Sequence, residues 1–220
     1  MMYSIKIKLL SDITFGRGDG VAGLIDAEIE HDRYGFPYLR GRTLKGLLSE
    51  ECDNLILLLP ESQQQKWIEV RYQLFGQAGS TQEKMAQMHV GDACLPLGLR
   101  NAIAQQQEDG FPTPVDILNS LTGIRQQTAI NSETGAPDPH SLRNARVIIR
   151  DRPDAQPGYK APLYFDIDPT QEMLGLLGAG VLALRRIGSD RNRGRGHVQC
   201  SLYRQEENIS AEYLNCLGEN

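Results

Sequence analysis

The 220-residue chain is long enough to bury a normal core as one domain, with or without a sizeable insertion, so its size demands neither disulfides nor a structural metal. A formal net charge of −5 excludes wholesale coating of nucleic acid but leaves room for local basic patches. The four cysteines, Cys52, Cys94, Cys200 and Cys216, show no CxxC spacing and no matching histidine pair, which favours neither a zinc site nor a disulfide framework; with apolar runs too short to span a bilayer, a soluble cytoplasmic protein without membrane contact is expected.

Residues 1–10 set Tyr3, Ile5, Ile7 and Leu9 against Ser4, Lys6 and Lys8, the period of a half-buried strand rather than the unbroken apolar run of a signal peptide. A glycine-rich stretch, 16–23, precedes an extended segment at 24–30. Thr43 is expected to cap an apolar helix over 44–59, and Pro60 to open a second helix that carries Trp67, Val70, Tyr72 and Leu74 and closes at Gly76. Residues 77–87 read as a loop and 88–97 as a strand. From about 98 to 143 the periodicity lapses, and the segment reads as a long insertion built around the dense run LTGIRQQTAINSETG at 121–135. Strands are predicted at 145–149 and 161–167, a helix at 169–186 with Asp168 as its N-cap, and a last strand through Val198, Cys200 and Leu202. Residues 206–220 form a polar tail. The order strand, helix, strand, insertion, strand, helix, strand predicts an α+β, ferredoxin-like domain over 1–205.

Positive charge concentrates in two places. One holds Arg33, Arg40, Arg42 and Lys45; the other is residues 185–197, RRIGSDRNRGRGH, with five arginines and three glycines. Glycine lets consecutive N–H groups converge on an anion, and arginine offers a planar fork that fits phosphate oxygens, although such a loop also serves as a plain solvated connection. Arg42 and Lys45 fall at a predicted helix start, where the free N–H groups favour an anion. The early carboxylates Asp12, Asp19, Asp26 and Asp32 each fit a turn or cap. His31, His89, His140 and His197 are isolated, Tyr34, Phe36 and Tyr38 fit either base stacking or packing beneath a loop, and no GxxxxGK[ST] pattern supports a P-loop enzyme.

Three runs in this order, GLIDAEI at 23–29, LRGRTLKG at 39–46 and the glycine loop at 188–196, resemble the CRISPR-associated RAMP superfamily, and within it the repeated backbone subunits of type III effector complexes. Phe75-Gly76, VGDA at 90–93, and the segment from TAIN at 128–131 to SLR at 141–143 have counterparts there too. Each run is short; their joint order is what carries the resemblance. Two departures stand out: Thr14 occupies a place where the family often has histidine, and RGRT at 40–43 replaces a frequent Pro-Gly-Ser-Ser, adding charge beside Lys45.

The resemblance implies an RRM-like, ferredoxin-like RAMP domain whose 98–143 insertion is a thumb that wedges between guide and target RNA. It implies crRNA and target RNA as ligands, and other effector subunits, including copies or homologues of this chain, as partners. RNA backbone contacts are then expected from Arg17, Arg40, Arg42, Lys45, Arg125, Arg143, Gly188, Arg191, Arg193, Gly194, Arg195 and Gly196. Asp26 matches the aspartate that cleaves bound target RNA in those subunits, acting on the neighbouring 2′-OH or positioning a divalent cation such as Mg2+. A structural RNA-binding subunit without chemistry and a stand-alone guide-processing ribonuclease are the other two readings; the latter commonly needs an N-terminal histidine base, and His31 lies in no such motif.

Overall fold

The computed structural model describes residues 2–21, 24–77, 79, 85–150, 158–191 and 193–218. Strand β1 (Tyr3–Leu9) lies between two antiparallel partners, β5 (Tyr159–Phe165) and β6 (Val198–Arg204), with Ile5 opposite Ala161 on one side and Leu202 on the other. Two short strands, β2 (Met88–Val90) and β7 (Glu207–Asn208), complete an antiparallel sheet of order β2-β5-β1-β6-β7. The alternation in β1 is kept: Tyr3, Ile5, Ile7 and Leu9 are all buried.

Helix α1 (Gly41–Leu57) turns Leu44, Leu48, Cys52 and Ile56 inward, a spacing of four that keeps one face apolar. Its start lies ahead of the expected Thr43 cap. Arg40 is the N-cap, and the Gly41 N–H is held by Asp92 Oδ1 at 2.7 Å, so a side chain 51 residues away does the capping. Gly41 is obligatory for packing, since a Cβ there would sit 2.1 Å from the Val90 carbonyl oxygen. Helix α2 (Glu61–Phe75) follows Pro60 and ends as expected at Gly76, with φ +80°.

Three further expectations shift. The strand expected over 88–97 is regular only at β2, because the chain swings away through Gly91 and Asp92, keeps single bridges at Ala93 and Cys94, and enters helix α3 (Leu97–Glu108). The 98–143 segment is regular where no period was read. It holds α3, α4 (Pro114–Leu121) and β3 (Thr122–Gln127), which pairs as a two-stranded ribbon with β4 (Arg143–Ile148), the strand expected at 145–149. The reason is burial: α3 buries none of its residues, and exposed Ile124 is the only large apolar residue in β3, so neither needed an apolar stripe. Helix α4 is specified locally by a capping box of Thr113 and Asp116. The expected Asp168 cap is displaced to Thr170, whose hydroxyl accepts from Met173 N at 3.2 Å, because Pro169 holds the preceding residue out of the helical region.

Helix α5 (Gln171–Ala183) is buried on most of its circumference. Cys52 of α1 presses on Gly180 from one side, and residues 207–218 press from the other, where a Cβ on Gly175 or Gly178 would lie 2.7 Å from the Tyr213 or Ser210 carbonyl oxygen. The polar C-terminal segment is therefore docked through buried Ile209. Burial pushes the Cys52 and Cys200 thiols up to about 12, leaving both as inert core residues. Gly178→Val should lower unfolding stability by about 1–3 kcal/mol in urea titration and expose the 207–218 segment to limited proteolysis before the rest of the chain, because the helix cannot retreat from both neighbours.

Candidate RNA interface

The glycine loop is closed at its neck by Ile187 N donating to Gly196 O at 2.9 Å and by Val198 N donating to Arg185 O at 3.0 Å, with Ile187 fully buried. Gly188 and Gly196 both have positive φ. A Cβ at Gly188 would meet Thr14 O at 2.4 Å, and one at Gly196 would meet Ile187 O at 2.2 Å. Their glycine character is therefore accounted for by the chain's own backbone. Gly194, φ +78°, has nothing within 4 Å of its Cβ position and lies on the open side. Arg186 donates through Nη1 to the Arg191 carbonyl and braces the loop from beneath.

The far end of the β3–β4 ribbon, where β3 runs out at Gln127, lies against this loop. Asp12 joins the pieces: its carbonyl accepts from Gly196 N at 2.9 Å, Oδ1 accepts from Arg150 N at 3.0 Å, and Oδ2 accepts from Arg125 Nη2 at 2.8 Å. Gln127, at the end of β3, is the second link. In one amide orientation its oxygen takes Arg193 Nη1 at 3.4 Å; in the other, better satisfied, it takes both Nη atoms of Arg195 at 3.1 and 2.9 Å. A groove of about 520 Å3 opens here, lined by Gln127, Thr128, Ala129, Ser141, Arg143 and Arg193.

Asp26 is tied to the root of β4. Its N–H donates to Asn144 O at 2.8 Å, and its Oδ2 accepts from Asn144 N at 2.7 Å, while Asn144 Nδ2 holds the Leu24 carbonyl at 3.2 Å. The side chain is exposed and next to Arg143 in chain order through Asn144. Beneath it the early segment is locked by a buried ion pair, Arg146 Nε to Glu28 Oε1 at 2.9 Å, whose guanidinium also donates to Thr122 Oγ1 at 3.1 Å. Among the described residues no three His, Cys, Asp or Glu side chains gather as a metal cage. The donor set at Asp26 is one carboxylate with one oxygen committed, which fits a cation only if RNA phosphates and water supply the other ligands, as Mg2+ permits.

The second basic segment divides. Arg42 is exposed and Lys45 donates to Met88 O at 2.9 Å; both line an open groove of about 600 Å3 with Gly46, Arg71 and His89. Burial holds the Lys45 ammonium below its ordinary pKa, partly offset by Asp166. Arg40 instead meets Glu30, Nη2 to Oε2 at 2.7 Å, and Arg17 pairs with Asp19 at 2.5 Å, each pair raising its arginine's pKa. Phe36 is buried and Tyr38 donates its hydroxyl to Glu30 Oε1 at 3.1 Å, so of the three early aromatics Phe36 belongs to the core and Tyr38 to a polar cluster. Asp32 holds a turn, accepting from Tyr34 N and Phe36 N, and His89 faces Asp166 at 3.0 Å.

The structure thus places Asp26 at the start of β4, beside Arg143, and Arg125, Arg193 and Arg195 along the end of β3, and sets Arg42 and Lys45 in a groove of their own. Sequence reading missed Gln127, Asn144, Arg146 and Glu28, and took Asp12 for a simple turn residue. The one available signal was the pair of acids, Glu28 and Glu30, in a segment otherwise patterned for burial.

A model of the RAMP superfamily matches residues 6–199, and the chain belongs to that superfamily. Two solved structures share its fold at 12% sequence identity and a TM-score of 0.62: a type III-B Cmr-beta cryo-EM structure bound to cognate target RNA, covering 92% of this chain and 97% of that one, and the apo state of Cmr-beta, covering 94% and 99%. No curated protein matches the sequence significantly. Among the described residues no helix is long and apolar enough to cross a membrane.

Arg146→Ala strands a buried Glu28 carboxylate and should cost about 3–5 kcal/mol in urea unfolding. Combining it with Glu28→Gln should recover a large part of that loss. Equal losses in single and double variants would show that packing, not charge, dominates there.

Proposed function

We propose that this protein is a guide-RNA-binding backbone subunit of a type III CRISPR effector complex that cleaves complementary target RNA at Asp26. The observation that carries the reading is that Asp26, held by Asn144 at the start of β4, flanks a ribbon end that also carries Arg125 and Arg143 and receives Arg193 and Arg195 from the glycine loop, in a RAMP chain whose fold neighbours include a type III-B Cmr-beta structure bound to target RNA. In this reading crRNA, target RNA and further subunits are the partners, and the complex works in the cytoplasm. The strand order β2-β5-β1-β6 with helices crossing between β1 and β2 and between β5 and β6 supports a ferredoxin-like unit over 1–205, with 98–143 as its thumb.

The arginines hold phosphates and leave bases free to pair, as a sequence-independent reader requires. The thumb keeps the target backbone bent beside Asp26, whose free carboxylate oxygen takes the proton of the adjacent 2′-OH for in-line attack on phosphorus; the P–O5′ bond breaks, leaving a 2′,3′-cyclic phosphate on one product and a 5′-hydroxyl, protonated by water, on the other. Alternatively, Asp26 would help hold a divalent cation, which would supply charge stabilisation at the phosphate. One observation favours the non-catalytic reading: Asp26 already spends an oxygen on Asn144 N, the pattern of a residue that organises its loop.

In the assembled complex, Asp26→Ala should abolish cleavage of complementary RNA while guide and target binding stay within about twofold, and the wild-type product should carry a 2′,3′-cyclic phosphate. Wild-type cleavage by the variant would promote the structural-subunit reading, and joint loss of binding and cleavage would make Asp26 an organiser of the early loop. Replacing Arg191, Arg193 and Arg195 together with alanine should flatten the log-log salt dependence of guide binding by about 0.7 for each phosphate no longer neutralised. An unchanged slope and affinity would remove the glycine loop from the interface.

A further inference from the structure

The arginines around the ribbon and the early segment divide by what already holds them. Arg125 is paired with Asp12, Arg146 with Glu28, Arg17 with Asp19 and Arg40 with Glu30. Arg193 and Arg195 turn to the Gln127 amide, where β3 runs out. Arg143 differs: it opens β4, is exposed and lines the groove of about 520 Å3, and its guanidinium has no hydrogen-bond or ion-pair partner among the described residues.

Strand pairing fixes its place relative to Asp26. The early segment runs parallel to β4 at the Ala27–Ala145 bridge, with Asp26 N on Asn144 O at 2.8 Å and Asp26 Oδ2 on Asn144 N at 2.7 Å. Adjacent strands lie about 4.8 Å apart and rise about 3.3 Å per residue, which sets the Cα atoms of Asp26 and Arg143 about 6 Å from each other. The contact to Asn144 N orients the carboxylate and leaves its second oxygen uncommitted, while the unanchored guanidinium is free to swing at the end of its stem. A phosphodiester at this corner of the ribbon has an acceptor for the 2′-OH proton on one side and a planar donor fork for its non-bridging oxygens on the other.

We infer that Arg143 is a catalytic residue of the cleavage, stabilising the negative charge that builds on the non-bridging oxygens as the 2′-oxygen bonds to phosphorus and the P–O5′ bond breaks. The inference rests on the reading of Asp26 as the base. An arginine neutralised by a carboxylate must first break its pair to do this, whereas Arg143 is unpaired and lies beside the base. A donor whose contact strengthens as charge develops raises kcat rather than affinity. A guanidinium donates hydrogen bonds and gives up no proton at neutral pH, so water still protonates the leaving 5′-oxygen.

The experiment measures target Kd and, separately, single-turnover cleavage with assembled complex in excess, for wild type, Arg143→Ala and Arg143→Lys. Arg143→Ala should slow cleavage of bound target about 100- to 1,000-fold with Kd within about threefold, and added guanidinium ion should restore part of the rate. Lysine, a point charge without the fork, should fall between alanine and arginine. Guanidinium should do nothing for Asp26→Ala, whose defect is a missing base. A wild-type rate in Arg143→Ala overturns the catalytic role, as does weaker target binding with an unchanged rate on bound target. A slow variant that neither lysine nor guanidinium improves overturns it too, because its defect is then structural. An inactive Asp26→Ala complex beside a fully active Arg143→Ala complex removes only the arginine. Wild-type cleavage by Asp26→Ala beside a slow, guanidinium-rescued Arg143→Ala keeps the arginine and removes Asp26 as the base.

Discussion

Asp12, three residues past the end of β1, is the point on which the rest of the arrangement depends. Its side chain and carbonyl together receive the ribbon through Arg125, the strand-exit backbone at Arg150 and the neck of the glycine loop at Gly196. As an ion pair with Arg125 it is partly exposed and weak, of order 0–1 kcal/mol. Its importance is geometric: three segments far apart in sequence share one short acidic anchor, so the arginines of the loop and of the ribbon hold a fixed relation to each other.

The early segment makes that relation rigid. It threads between the sheet and the ribbon, bridging Ile13 to Ile148 and Ala27 to Ala145, and the Glu28–Arg146 pair beneath it has enough companions to be tolerated in the interior. Two kinds of basic residue result. Arg143 faces a groove without a carboxylate partner among the described residues, whereas Arg17 and Arg40 are already balanced by Asp19 and Glu30. Counting arginines along the chain therefore overstates the charge available to a polyanion, and the distinction is visible only in three dimensions.

What could be read from the sequence was what burial dictates locally. Tyr3, Ile5, Ile7 and Leu9 announce β1, and Leu44 through Ile56 announce α1, because each pattern must face one core. Helix α3 and strand β3 left no such trace, since an element that buries little is under no periodic demand. The cap of α1 was hidden for another reason: Asp92 reaches it across space, and no window of sequence contains both partners. The same holds for the site. Asp26 and the arginines of the 188–196 loop were legible as residue types in recognisable runs, while Asn144, Gln127 and Asp12, which set their positions, are ordinary polar residues whose roles come from where the chain returns.

The sheet ends in strands of three residues at β2 and two at β7. Edges so short offer almost no ladder on which another chain's backbone could continue hydrogen bonding. The main sheet is therefore closed to strand addition at both ends, and the longer free edge among the described strands is that of β3 in the ribbon, six residues paired on one side only.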